Sequence, residues 1–390
     1  MKSMLMRHAA VWIIGAALFR VAVVPAEVCP AVDPDSVHTA AVAAGDWLVR
    51  NQDETGRFLY GYDRSTSQVN PDYNIVRHAG ATNSLYQLAA VGEAGFLEPA
   101  DRALGYLLDG AVDHDDWTTI VLDGRKARLG TVGFTVVALI QRRALTGDTG
   151  YDELIRALGR FIVAQQEPDG SIRAFWDPAT GGPTPGEYGK FATGEAVWAL
   201  VELDNTFPGE GWWEAAELTL HYLADGSRVR KEGHRARLPD HWAAYALGAA
   251  APDRLDDELT DYAQRLAGYF SMRLRLEAQR TGTPLNVAVR AYPGPPSGVG
   301  TAAEGLAALY RLAGDDPRLA TLRPDMTERL ACNAGLMVER QVGSSEASAA
   351  GDPGKLEGAW FYRSYTQVDD QQHVLSGLLG AEQAMREIDI

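Results

Sequence analysis

The chain has 390 residues, 46% of them hydrophobic and 23% charged, a balance that builds a packed core and excludes a disordered polypeptide. Its 52 acidic residues outnumber 36 basic ones, for a formal net charge of −16. Such a surface repels phosphate backbones and anionic lipid, which argues against nucleic-acid or membrane-surface partners. Two cysteines exclude a disulfide-stapled fold and a four-cysteine zinc site.

Residues 1–26 carry the pattern of a secretory signal peptide. Lys2 and Arg7 precede the apolar stretch 9–19, and Val24 and Ala26 stand at the −3 and −1 positions for cleavage before Glu27. The apolar stretch is too short to span a bilayer as a helix. The expected product is a mature chain, 27–390, that is periplasmic or secreted and not stably inserted in a membrane. Removing the leader takes three basic residues and no acidic one, so the mature chain is more acidic still. Once exported, Cys29 is open to pairing with Cys332; Cys332 reads equally well as a small buried hydrophobe.

After the leader, helical signals recur throughout and period-2 alternation does not. Segments 37–50, 99–108, 151–165, 212–224, 255–279 and 324–340 are amphipathic. Between them lie segments that open on small and polar residues and become apolar nearly all round, beginning at Arg77, Leu129, Lys190, Asp240, Ser297 and Asp369. A helix without a wet face is a buried one. Successive buried segments start about 50 to 70 residues apart, one helix pair per interval. Six buried helices alternating with six half-exposed ones predict an all-α fold, an (α/α)6 toroid with an inner ring shielded by an outer one. Length alone suggests two or three domains, but six hairpins use nearly all of 27–390 and predict one.

The glycines at the inner starts (Gly80, Gly130, Gly133, Gly194, Gly298, Gly300) allow close packing at the narrow end. Loops 63–74, 174–188, 287–298 and 343–363 all lead into inner starts and so gather on one face. Inward side chains from separate hairpins meet there. Among them, Glu195, Asp240 and Asp370 are the candidate catalytic carboxyls: Glu195 interrupts an apolar helix, Asp240 precedes His241-Trp242, and Asp370 sits in QVDDQQH. Arg77, His78, Tyr188, His241, Trp242, Trp360 and His373 are the candidate substrate-binding groups. Carboxylates with Trp, Tyr, Arg and His suit a sugar, since aromatic faces pack on the ring while a carboxyl pair spans the scissile bond.

Each residue also has a plainer role open to it. Asp240 and Asp369 stand at expected helix N-caps, Glu195 could pair with Arg77, and Glu304 lies deep enough in its helix to be structural. His78 and Arg77 could link loops, and the tryptophans could pack the core. His78, His241, His373 and Asp370 include metal-ligand types, but no local His-x-x-x-His pair supports a metal site, and no cofactor signature is present.

Two outer segments end in a shared cue, WLVRNQDETGRF from Trp47 and FIVAQQEPDGSI from Phe161. With the six small-rich inner helices and YGKFATGEAVWAL, the QQEPDGS turn resembles bacterial six-hairpin glycosidase-like proteins. The toroid terpene cyclases share such turns, but Gln367-Val368-Asp369-Asp370 lacks the first aspartate of their Asp-x-Asp-Asp motif. The six-hairpin resemblance implies carbohydrate chemistry on an oligo- or polysaccharide. It carries over no catalytic residue, since no family motif matches residue by residue. The expectation is a secreted glycoside hydrolase with a carboxyl acid/base pair. A lyase or epimerase, a metal-dependent enzyme, or a non-catalytic glycan- or protein-binding toroid on the same scaffold stay open.

Overall fold

The computed structural model describes residues 2–22, 26–122, 126–233 and 239–387. Val24 and Pro25 of the expected cleavage site lie outside the described residues. Helix α1 (Lys2–Ala22) covers most of the expected leader. No described helix is long and apolar enough to cross a membrane.

The outer helices are α2 (Pro34–Arg50), α4 (Leu97–Leu108), α6 (Asp152–Ala164), α8 (Trp212–Ala224), α11 (Asp257–Ala278) and α14 (Arg323–Arg340). The inner ones are α3 (Ile75–Ala90), α5 (Leu129–Thr146), α7 (Ala192–Thr206), α10 (His241–Ala249), α13 (Pro296–Asp315) and α17 (Val368–Arg386). Each inner helix packs on the next, and α17 returns to α3 and closes the ring. Short helices α9 (Ser227–Glu232), α12 (Pro284–Arg290), α15 (Ser344–Ala349) and α16 (Pro353–Leu356) occupy the connections. The fold is the expected (α/α)6 toroid.

Local chemistry sets the helix starts. Asp33, Asn74, Asp240 and Asp256 each accept a backbone N–H from the first turn of the helix that follows. Between inner helices the glycines remove side chains at the crossings. A Cβ on Gly300 of α13 would stand 2.5 Å from the His373 carbonyl carbon of α17, so only glycine permits that approach. The two Gln-containing turns have a common task. Gln52 Nε2 donates to the Pro99 carbonyl at 3.0 Å, and Gln166 Nε2 donates to the Ala215 carbonyl and Thr219 Oγ1, each at 2.7 Å. Each glutamine thus ties the end of one outer helix to the beginning of the next.

Strands, unexpected from the sequence, decorate the loop face. Strands β1 (Gly61–Asp63), β2 (Gln68–Asn70) and β8 (Tyr365–Gln367) form an antiparallel sheet with β1 central, pairing Tyr62 with Val69 and Thr366. Strands β3 (Ala111–His114) and β4 (Trp117–Ile120) make a hairpin. Strands β5 (Ala127–Arg128), β6 (Phe175–Asp177) and β7 (Gly182–Pro183) make the third sheet. None exceeds four residues, too short to leave an alternating pattern. These strands brace the long loops that lead into the inner helices.

The segment before α2 is fastened to the outer ring. Cys29 and Cys332 form a disulfide with Cα atoms 4.6 Å apart. The Val28 N–H donates to the Ala278 carbonyl at 2.8 Å, and the Glu27 carboxylate pairs with Arg275 and Arg329.

Candidate functional site

A cavity of about 470 Å³ opens on the loop face. Inner helices supply most of its chemistry: Arg77 from α3, Glu195 from α7, His241 and Trp242 from α10, Thr301 from α13, and Asp369, Gln372 and His373 from α17. Lys190 and Phe191 precede α7, while Tyr269 and Arg273 reach in from outer helix α11. Closure of the ring brings these residues together across almost 300 positions of sequence.

At its centre is a buried ionic chain. His373 Nδ1 lies 2.6 Å from Glu304 Oε1, and His241 Nε2 lies 3.1 Å from the same oxygen. On its other side, His373 Nε2 faces Asp369 Oδ1 at 3.5 Å. Burial opposes the charged imidazole, but Glu304 and Asp369 outweigh it and raise the His373 pKa to about 10. His373 is therefore an imidazolium at neutral pH. Burial likewise opposes ionisation of Glu304 and Asp369, and there too the opposite charges prevail. His373 and His241 hold Glu304 below the usual carboxylate range, and His373 and Arg77 do so for Asp369. The Arg77 Nε lies 3.4 Å from Asp369 Oδ2, and its Nη1 donates to the Tyr60 hydroxyl at 2.7 Å.

Glu195 is the opposite case. Its carboxyl lies against Gly130, where a Cβ would come within 1.9 Å of Oε2. Burial first, then the charges of Asp240 and Asp369, push its pKa up to about 8. The cavity wall thus carries one carboxyl group held protonated and another, Asp369, held ionised.

The structure brings Arg77, Glu195, His241, Trp242 and His373 of the expected set to this cavity. It does not bring the others. Asp240 is buried against Arg228, whose Nη1 lies 2.8 Å from Oδ2, while Oδ1 caps α10 at the Trp242 N–H. Both oxygens are engaged, and its influence on the cavity is its charge alone. Asp370 accepts the N–H groups of Ser297 at 2.9 Å and Gln367 at 3.0 Å, completing the capping box of α17. Burial raises its pKa to about 6, but it is not one of the residues that line the cavity.

His78 packs toward α4. Its Nε2 donates to the Ala103 carbonyl at 2.8 Å, so Nδ1 accepts from the Tyr73 hydroxyl at 2.6 Å. Burial lowers its pKa to about 4, which leaves a neutral ring that links inner to outer helix. Tyr188 lies elsewhere on the loop face, under Arg173 and beside Glu167. Trp360 is 1% exposed and donates to the Met337 carbonyl at 2.7 Å. It belongs to the core. Trp242 does line the cavity, though it is also stacked on Trp198 with ring centres 5.4 Å apart.

Two residues central to the site were not among the expected ones. Asp369 reads as an N-cap, but Gln367 occupies that position. Glu304 reads as structural and is the carboxylate that joins the two imidazoles. The i, i+4 spacing of Asp369 and His373 is the signal that places both on one face.

Among the described residues, His241, Glu304 and His373 form a cluster of metal-ligating type, with ligand atoms within 4.8 Å of one another. The 2.6 Å approach of His373 to Glu304 is that of a shared proton. His78 and Asp370 are not part of it.

No family model matches the chain, and no curated protein matches it in sequence. Solved structures do resemble it. The cellobiose 2-epimerase from Spirochaeta thermophila is 13% identical, with 92% of this chain and 98% of that one covered at a TM-score of 0.63. A GH76 alpha-mannanase from Bacteroides thetaiotaomicron is 8% identical, with 92% and 98% covered at 0.61. An inactive variant of the alpha-1,6-mannanase from a Salegentibacter species, in complex with alpha-1,6-mannotriose, is 14% identical, with 89% and 99% covered at 0.58. At these identities the likeness establishes the (α/α)6 toroid fold.

Proposed function

We propose that this protein is a carbohydrate-active enzyme whose cavity binds a sugar and acts on it by general acid–base chemistry, with glycosidic-bond hydrolysis as the reaction. One observation carries the reading. Glu195 is held protonated up to about pH 8 while Asp369, on the same cavity, is held ionised. Two carboxyl groups whose environments push their proton affinities apart are the equipment of a glycosidase. Glu195 donates its proton to the leaving oxygen. Asp369 stabilises the cationic sugar or activates water, oriented by Arg77 and His373. The cavity volume suits a few sugar units, and Trp242, Phe191 and Tyr269 supply apolar surface. Support from the fold is general: proteins described as an epimerase and as mannanases share it.

A second reading rests on the imidazoles. His241 and His373 come from different helices, stand 5.3 Å apart between ring centres, and share Glu304. Proton removal and return at the carbon beside a sugar carbonyl needs such an acid and base, and the reaction is then isomerisation or epimerisation. Incubation with oligosaccharides and free sugars in D2O, followed by NMR, separates the two. New reducing ends support hydrolysis. Deuterium incorporated at a sugar carbon supports proton transfer and overturns hydrolysis. Binding with neither change leaves a recognition module.

Export belongs to the same proposal. The leader pattern and the Cys29–Cys332 disulfide both suit an oxidising compartment, periplasmic or extracellular. N-terminal sequencing of the protein from the expressing cell's medium or periplasm should begin at Glu27.

A further inference from the structure

We infer that the cavity continues into a second pocket that holds an anionic unit of the sugar substrate, a uronate carboxylate or a sulfate ester; this rests on the sugar-active reading above. The second pocket has a volume of about 480 Å³. The two are adjoining, since Asn74 lines both. Tyr60 lines the second, and its hydroxyl is bonded to Arg77 of the first.

Charge is the informative feature. In a chain of net charge −16, the described residues of this lining hold Arg57, Lys126 and Arg128 against a single carboxylate, the exposed Asp72. Lys126 is paired with Glu187 at 3.3 Å. Neither arginine has a carboxylate within ion-pair distance among the described residues. Asp53 takes the backbone N–H of Arg57 at 3.0 Å and not its guanidinium. Several other half-buried arginines, Arg142, Arg143 and Arg173 among them, are paired with carboxylates. Both arginines of the pocket are held on aromatic faces. Arg57 Cζ lies 4.3 Å from the Tyr73 ring centre and 5.7 Å from that of Tyr106. Arg128 Cζ lies 5.9 Å from that of Phe175, its cross-strand partner.

Stacking on an aromatic face orders a guanidinium while leaving its N–H groups for a planar anion. Two such groups in one pocket form a clamp for carboxylate or sulfate. The tyrosine rings beside them offer stacking surface for the sugar that carries it.

The test compares matched trisaccharides, neutral, uronate and sulfated, from cellulose-, mannan- and galactan-type series. Calorimetry measures binding to wild type, Arg57→Gln and Arg128→Gln, and turnover is followed in parallel. A charge-assisted bond predicts that at least one anionic trisaccharide binds about tenfold or more tightly than its neutral partner. Each substitution should remove most of that preference, and added salt should weaken it in wild type. The uronate and sulfate arms identify the anion. If no anionic member outbinds its neutral partner, or if the preference survives both substitutions, the inference is overturned. Circular dichroism checks that Arg57→Gln remains folded, and Arg128→Gln tests the clamp without disturbing Tyr73. Anion preference without turnover would sink the enzymatic reading and leave this pocket standing. Turnover of neutral sugars alone would do the reverse.

Discussion

The imidazole of His373 on α17 and the carboxylate of Glu304 on α13 meet at 2.6 Å, buried beneath the cavity. The pair fixes the charge state of both groups and the separation of the two helices. Each partner's shift has a consequence for stability. His373, raised from 6.5 to about 10, contributes stability that is full below pH 6.5 and is lost as pH climbs through 10. Glu304, lowered from 4.5, contributes stability that is present above pH 4.5 and is lost as pH falls through its depressed value. The pair is therefore strongest between about pH 4.5 and 6.5 and weakens toward 10. Glu304→Gln should lower the unfolding free energy by about 3–5 kcal/mol in that range. Urea unfolding of the variant and the wild type at pH 6 and pH 10 checks this, with a smaller difference expected at the higher pH.

Glu195 behaves in the reverse sense. Its pKa is raised from 4.5 to about 8, so the folded state retains a proton that the unfolded state has given up. Stability attributable to this group falls by about 1.4 kcal/mol for each pH unit between those values. Glu195→Gln keeps a neutral side chain of nearly the same shape. It should be more stable than wild type at pH 8, with little difference at pH 4. Turnover should drop by about a hundredfold or more, since the proposed proton donor is gone. A variant destabilised equally at both pH values would contradict the assignment.

How much of this was legible in the sequence depends on what each feature leaves behind as a pattern. Helix α8 occupies 212–224, as its amphipathic period predicts, and all six inner helices begin within two residues of the expected starts. A twelve-helix period survives in sequence because every turn repeats it. The choice between Asp369 and Asp370 does not. Adjacent residues on a helix point about 100° apart, so one faces the cavity and the other caps α17, and composition is the same either way. Phase also separates His78 from His241 and His373, although all three sit in first turns. His78 points outward to the Ala103 carbonyl and the others inward to Glu304. Glu195 was legible because a carboxyl group in an apolar helix needs a reason. Tyr188 was not, because a loop residue has no period to fix its direction.

Asp240 offers a contrast with Glu195. It is 1% exposed and forms a buried pair with Arg228, which also reaches Glu232 at 3.2 Å. Asp240→Asn leaves that guanidinium short of one counter-charge in a site with little water. The variant should lose about 3 kcal/mol or more of stability. Removing the nearby negative charge should also let the Glu195 pKa fall, since Asp240 is among its causes. The alkaline limb of the pH–activity profile should then move to lower pH while residual turnover persists. Complete loss of turnover in a stably folded Asp240→Asn protein would instead return Asp240 to a direct chemical role.

Gly130 provides a test that leaves every ionisable group in place. It sits in the first turn of α5, and a Cβ there would approach Glu195 Oε2 to 1.9 Å and Val76 Cγ1 to 3.1 Å. Alanine is otherwise a better helix former than glycine by about 1 kcal/mol, so the helix itself gains. The carboxyl group must therefore turn away from its present seat. A misplacement of about 1 Å at a reacting group is enough to lower turnover by about a hundredfold. Gly130→Ala should accordingly fold with a melting temperature near that of wild type while losing most of its activity. Gly105→Ala is the control, because nothing lies within 4 Å of the added methyl group, and it should leave turnover unchanged. If Gly130→Ala and Gly105→Ala were equally active, the Glu195 carboxyl group would not be needed where the structure places it, and proton donation from that residue would fail as a mechanism.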